Sequence, residues 1–109
     1  MTVEISIAAD RRAEYEALKT STRSEDRRVF AMLERVAGVL AENPYAGDRI
    51  RRQQIPGDYH RRYGRPENLW KYNLSRSWRL VDTIARDGEI IVVVIEWFSH
   101  DEYERRFNY

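Results

Sequence analysis

The sequence predicts one α+β domain: an N-terminal strand, a two-helix hairpin, a three-stranded antiparallel sheet (four strands in all) and a short C-terminal helix. Three patterns predict this class. Val3, Ile5 and Ile7 alternate with polar residues, as in a half-buried strand. Apolar residues between 29 and 40 fall on one broad helical stripe. Strand-like runs then follow at about 69–74, 78–85 and 89–98.

The two helices of the hairpin are predicted at about 11–20 and from Ser24 onwards. Asp10 is expected to cap the first helix, because a short carboxylate before a helix accepts bonds from its free N–H groups. The second helix is expected to end before Asn43-Pro44, because a proline disfavours helical geometry in the residue that precedes it. We expect this hairpin to pack on one side of the sheet and to leave the other side open.

The remaining elements follow from turn and capping signals. Residues 45–65 give weak signals, with a helical turn expected at about 58–63. Asp87-Gly88 between apolar runs predicts a hairpin. Residues 90–95 are all β-branched and do not alternate with polar ones, so we expect a central strand covered on both faces. Ser99 and Glu102 form a capping-box pattern that predicts a terminal helix at about 100–107.

Composition limits the classes of protein to consider. The 109 residues, 42% of them hydrophobic, suffice for one core, so we expect a single domain spanning residues 1–109. No apolar run is long enough for a membrane helix, and the N-terminus lacks a secretory pattern, so a soluble cytoplasmic protein without a membrane partner is expected. The absence of cysteine excludes disulfides and thiol catalysis, and the wide separation of His60 and His100 gives no metal-ligand spacing.

Charge is distributed unevenly along the chain. Residues 48–79 carry nine basic and three acidic side chains, whereas residues 80–109 carry three and seven. Aromatic residues lie among the arginines of this basic block, a combination that suits RNA bases and phosphates. The alternative is that the arginines merely solvate a long connection. The candidate RNA-binding arginines are Arg51, Arg52, Arg61, Arg62 and Arg65.

Three segments carry a family resemblance: 68–74 (NLWKYNL), 78–81 (WRLV) and 98–103 (FSHDEY). Together with the order of the elements, they resemble the RelE/ParE superfamily of type II toxins, and most closely its RelE-like and YoeB-like ribonucleases. The resemblance implies a toxin-antitoxin system in which an mRNA interferase, an endoribonuclease, cuts messenger RNA on the ribosome, uses no metal or other cofactor and is inhibited by a cognate antitoxin.

The resemblance also implies a set of catalytic residues. Metal-free cleavage by a ribose 2′-hydroxyl needs a base, an acid and cations for the charge that develops on phosphorus. Arg79 takes the position of the family's strand arginine, and Lys71 that of one of two lysines of RelE-like relatives, the other being replaced by Asn73. His100 is the candidate acid, and Glu67, after Pro66, is the candidate base.

Each of these residues also has a purely structural interpretation. Arg79 is then an exposed strand arginine paired with Glu96 or Asp87, and His100 and Glu67 are surface residues without a task. Tyr103 either stacks on an RNA base or packs against the sheet, and its helical spacing from Phe107 favours packing.

Asp82 departs from the family pattern, in which relatives usually read Arg-Leu-Val-Tyr. Strand alternation places Asp82 on the face of Leu80 and Ile84, opposite Arg79. A carboxylate there needs a partner, contact with water or a proton. We therefore expect Asp82→Tyr to raise the melting temperature, and the departure is also consistent with a detoxified variant.

Two further functions remain open at this point. A ParE-like member of the same superfamily is a protein-binding inhibitor of DNA gyrase and needs neither acid nor base. An inactive homologue only binds its antitoxin. His100 and Glu67 favour the enzyme, whereas the reduced lysine content and the net charge of +1 leave room for the inhibitor.

Overall fold

The computed structural model describes residues 2–63 and 68–107. Within these ranges the strands are β1 (Val3–Ile7), β2 (Asp48–Arg49), β3 (Trp70–Asn73), β4 (Trp78–Asp87) and β5 (Glu89–Ser99). The helices are α1 (Arg12–Thr20), α2 (Ser24–Glu42), α3 (Gly57–Tyr63) and α4 (His100–Phe107).

The strands form a single mixed sheet with the order β1-β5-β4-β3-β2. β1 runs parallel to β5, and the other neighbours are antiparallel. The α+β class is confirmed, but the total of four strands is wrong, because the described residues contain five. The extra strand, β2, has two residues and is too short to show a periodicity. The chain comes very close to β3 just before it: a Cβ on Gly47 would lie 2.5 Å from the carbonyl oxygen of Lys71.

The helical hairpin begins and ends nearly where the sequence predicts. The exception is the start of the first helix, where Ala9–Arg11 form a 3-10 turn without a side-chain cap. The capping role predicted for Asp10 is therefore wrong, and its carboxylate instead accepts a 3.0 Å hydrogen bond from Arg62. α2 packs on the sheet through Val29, Leu33, Val36 and Leu40, whose spacing keeps them on one side of the helix.

The opposite face of the sheet is covered as well. Adjacent residues of β4 show this, because Leu80 belongs to the core beneath α2 whereas Val81 belongs to a second core. The second core contains Ile50, Ile55, Tyr59, Leu69, Val81, Ile95, Phe98, Tyr103 and Phe107. The expectation of an open second face is therefore wrong: α3, α4 and the segment before α3 supply its cover, and their short, irregular pattern hides this in the sequence. The interior position of β5 in the sheet is confirmed, but its cover is uneven: Val92 and Val94 are buried on the α2 side, whereas Ile91 and Val93 on the other side are only partly buried.

A β-bulge in β5 determines where one charged side chain lies. Val81 is opposite Glu96 and the next residue, Asp82, is opposite Val94, so Ile95 is the extra residue of β5. Ile95 belongs to the second core, and the Glu96 carboxylate is bonded to Tyr59 of that same core. The bulge thus directs two consecutive side chains toward α3 and α4.

None of the helices in residues 2–63 and 68–107 combines the length and the apolar character needed to cross a membrane.

Candidate functional site

Arg79 lies on the α4 side of the sheet, opposite Phe98 on β5 and Asn73 on β3. Its Nη1 donates to backbone carbonyls of the β3–β4 turn, at 2.8 Å to Ser75, 3.0 Å to Trp78 and 3.4 Å to Arg76. Within the described ranges, its Nε and Nη2 make no hydrogen bond. The turn therefore fixes the guanidinium by one nitrogen and leaves a two-pronged donor, the geometry that phosphate oxygens accept.

His100 begins α4 beside the same turn. Its backbone N–H donates to the carbonyl of Ser77 at 2.7 Å, and the preceding pair in the sheet is Trp78 with Ser99. The imidazole is 41% exposed and contacts the Glu104 carboxylate through Nε2. Its Nδ1 is buried without a partner in the described part of the chain. Antiparallel pairing of β4 with β5 thus places His100 two residues beyond the partner of Arg79, at the same end of the sheet.

Lys71 lies on the same face as Arg79. It is opposite Val81, a second-core residue two positions along β4 from Arg79, which corresponds to about 7 Å of strand. Its Nζ lies 5.6 Å from the centre of the Tyr103 ring and 3.8 Å from the Asp48 carboxylate. The structure therefore brings Arg79 and Lys71 to one face of the sheet and places His100 at the end of the sheet where Arg79 lies.

Tyr103 lies in the second core rather than on the surface. Its side chain is 2% exposed and stacks on Phe107 with ring centres 4.5 Å apart. The packing interpretation is confirmed. The Tyr103 ring contacts Phe107 and lies near the Lys71 ammonium group, so it does not present a free face to an RNA base. Glu67 and Arg65, the candidate base and one candidate RNA contact, lie outside the described residues.

The arginines of the basic block do not form one continuous surface. Arg51, Arg52 and Arg61 are exposed, Arg61 with a 2.9 Å bond to Asp58. Arg62 turns inward and donates to Glu96 at 3.0 Å, as well as to Asp10. Tyr59, one of the aromatic residues that suggested RNA binding, is buried and also bonds to Glu96. Arg62 and Tyr59 thus have structural partners.

Sequence reasoning missed Glu96 as the centre of an ionic cluster. Its carboxylate, 2% exposed, accepts hydrogen bonds from Arg11 at 2.5 Å, Tyr59 at 2.6 Å, Arg62 at 3.0 Å and Arg106 at 2.7 Å. Burial alone would raise the pKa of Glu96. The hydrogen bonds from Tyr59 and Arg11 and the positive charges of Arg106 and Arg11 lower the pKa by more than burial raises it, so the pKa of Glu96 is below its ordinary value. A lone carboxylate in the apolar run 90–98 was the available signal.

Asp82 occupies the face that strand alternation predicts. It is opposite Trp70 and Val94, both of which pack in the core beneath α2. The side chain is 1% exposed, and neither carboxylate oxygen has a hydrogen-bond partner in the described part of the chain. Burial raises the pKa of Asp82 to about 7. Of the outcomes foreseen from the sequence, uptake of a proton is the one that this environment favours.

The described residues offer no group of three His, Asp or Glu side chains arranged to hold a metal ion. No protein-family model, no curated protein and no solved structure matches this chain. Its function is therefore inferred from its own residues.

Proposed function

We propose that the chain is a RelE/ParE-like toxin: a cytoplasmic, metal-free endoribonuclease that cleaves messenger RNA on the ribosome and is inhibited by a cognate antitoxin. The observation that supports this proposal most directly is that the Arg79 guanidinium and the backbone N–H of His100 both donate to carbonyls of the β3–β4 turn, at one end of the sheet. The resemblance of the segments around both residues to RelE-like and YoeB-like sequences supports the same conclusion.

The side chains fit the steps of 2′-hydroxyl attack on the adjacent phosphate. The unbonded Nε and Nη2 of Arg79 bind non-bridging oxygens and stabilise the charge that develops on phosphorus. Lys71 adds a second positive charge on the same face. His100 is the candidate acid: its Nε2, which contacts Glu104 in the free chain, gives up that contact and delivers its proton to the departing 5′-oxygen. Glu67 remains the candidate base for the 2′-hydroxyl.

Translation of a reporter message by purified ribosomes tests the proposal. The wild-type protein is expected to cleave within codons, and Arg79→Ala is expected to abolish cleavage because it removes the phosphate fork. Arg76→Ala is the matched control, since Arg76 is an exposed arginine of the same turn that contributes only its backbone carbonyl to Arg79. Equal cleavage by both variants, or none by the wild type, contradicts the proposal.

The inward orientation of Arg62 favours a second candidate, a ParE-like inhibitor of DNA gyrase. With Arg62 bonded to Glu96 and Asp10, the protein presents fewer free cations to RNA than its sequence suggests. A block of gyrase supercoiling together with inactivity in the ribosome assay selects this function. Inactivity in both assays selects the homologue that only binds its antitoxin, for which the unpartnered Asp82 is the supporting feature.

A further inference from the structure

A groove of about 580 Å³ lies between α2 and the β3–β4 turn. Arg28, Met32 and Arg35 line it from α2, with the four- and three-residue spacing of one helix face. Ser75, Ser77 and Trp78 line it from the turn and the start of β4. The groove thus combines two guanidinium groups, two hydroxyls and a half-buried indole.

The charge of the groove is positive. Arg28 and Arg35 are exposed, and neither pairs with a carboxylate in the described ranges. Glu25 is an acidic residue in the lining, so the two arginines outnumber it. Unpaired arginines at a groove with an accessible ring suit a ligand that is both anionic and aromatic.

The groove and the proposed cleavage site share one turn. Ser75 and Ser77 line the groove, whereas their backbone carbonyls accept hydrogen bonds from Arg79 and from the N–H of His100. Trp78 packs on the α2 side of the sheet, and Arg79, the next residue, lies on the opposite side. A strand that passes over the turn therefore contacts both places.

We propose that this groove binds a segment of single-stranded RNA next to the linkage that is cleaved, with a base against Trp78 and phosphates at Arg28 and Arg35. This inference rests on the proposed ribonuclease function and extends its substrate site. The ring beside hydroxyls and guanidinium groups, and the continuity with Arg79, favour RNA over an acidic peptide.

Binding of a fluorescent six-nucleotide RNA, followed by anisotropy, tests the groove. Arg28→Gln/Arg35→Gln is expected to weaken binding by about tenfold at low salt and to reduce the slope of log K against log salt by about 1.4, or about 0.7 per lost phosphate contact. Arg23→Gln/Arg27→Gln is the matched control, because these exposed arginines belong to the N-terminal end of the same helical region but not to the groove lining. Melting temperatures of both variants verify folding.

Three results overturn the inference: no RNA binding by the wild type at low salt, equal binding by the groove and control variants, or binding of an acidic peptide in place of RNA. The ribosome assay with Arg79→Ala separates this failure from that of the ribonuclease proposal. If cleavage is lost in Arg79→Ala but RNA binding and cleavage are unchanged in the groove variant, only the proposed groove site is ruled out. If the groove variant binds RNA more weakly than the wild type but the wild type cleaves no message, the ribonuclease proposal is ruled out and the RNA-binding groove is retained.

Discussion

The Arg106 guanidinium donates a 2.7 Å hydrogen bond to the Glu96 carboxylate, and this pair joins α4 to the bulge of β5. Arg11 and Arg62 converge on the same carboxylate from the segment before α1 and from α3. Because His100 is the first residue of α4, the cluster also stabilises the helix that holds the imidazole beside the Arg79 turn.

Glu96→Gln is expected to lower the free energy of unfolding by about 3 kcal/mol, measured by urea denaturation. Removing one partner of a buried ion pair leaves the other charges uncompensated. The loss lies at the low end of the usual range because Arg11, Arg62 and Arg106 are 25%, 32% and 35% exposed and can reach water. Glu89→Gln, which changes a carboxylate of the same strand outside the cluster, is the control. A change below about 0.5 kcal/mol contradicts a stabilising cluster.

The same cluster predicts sensitivity to acid. The pKa of Glu96 is lower in the folded protein than in the unfolded chain, so its stabilisation is present above the unfolded pKa. It is lost as the pH falls through the folded pKa. The free energy difference between wild type and Glu96→Gln is therefore expected to shrink on acidification below about pH 4.5, and a constant difference contradicts this assignment.

The raised pKa of Asp82 predicts the opposite pH dependence of the free energy of unfolding. Its pKa rises from 3.8 to about 7 on folding, so the unfolded chain loses this proton first as the pH rises. Stability is therefore full below about pH 4 and declines until about pH 7, by up to about 4 kcal/mol for a shift of about three units. Asp82→Asn cannot ionise and is expected to gain stability over wild type across this interval. Thermal melts at pH 5 and pH 8 measure the gain, and Glu4→Gln, at an exposed carboxylate, is the control. A gain that is equal at both pH values contradicts a raised pKa.

His100→Gln is expected to reduce codon cleavage by about 100-fold or more, because loss of a general acid typically costs that much. His60→Gln provides the matched control, since His60 is the other histidine of the chain and lies on α3 rather than on α4. Single-turnover cleavage on programmed ribosomes is the measurement. Similar rates for the two variants would remove His100 from the mechanism while leaving the phosphate role of Arg79 open.

The two glycines Gly47 and Gly38 are expected to respond to alanine with opposite signs. A Cβ at Gly47 lies 2.5 Å from the Lys71 carbonyl oxygen, so Gly47→Ala must displace β3 and is expected to cost about 1–3 kcal/mol. Gly38 lies within α2 with open space around its Cβ position, and Gly38→Ala is expected to stabilise by about 0.5–1 kcal/mol. Urea denaturation measures both, and a neutral Gly47→Ala contradicts the close approach to β3.

The elements with a clear local signal could be predicted from the order of the residues alone. Periodicity located α2, and an unbroken β-branched run located the central strand β5. The Ser99 hydroxyl accepts the predicted bond from the Glu102 N–H at the start of α4. Alternation also assigned Asp82 to the correct face. These features depend on interactions between residues close together in the chain, so they can be predicted from local sequence.

The second core, the β5 bulge and the orientation of the arginine side chains could not be predicted from local sequence, because they depend on contacts between distant segments. Arg62 and Glu96 are separated by 34 positions, and no local pattern indicates that one is drawn inward by the other. The position of Arg79 and His100 at the same end of the sheet likewise depends on the register of β4 against β5, which long-range packing fixes. The type of a charged residue gives its charge and its hydrogen-bonding groups. Its partner, and therefore whether it is accessible to a ligand, depends on the fold.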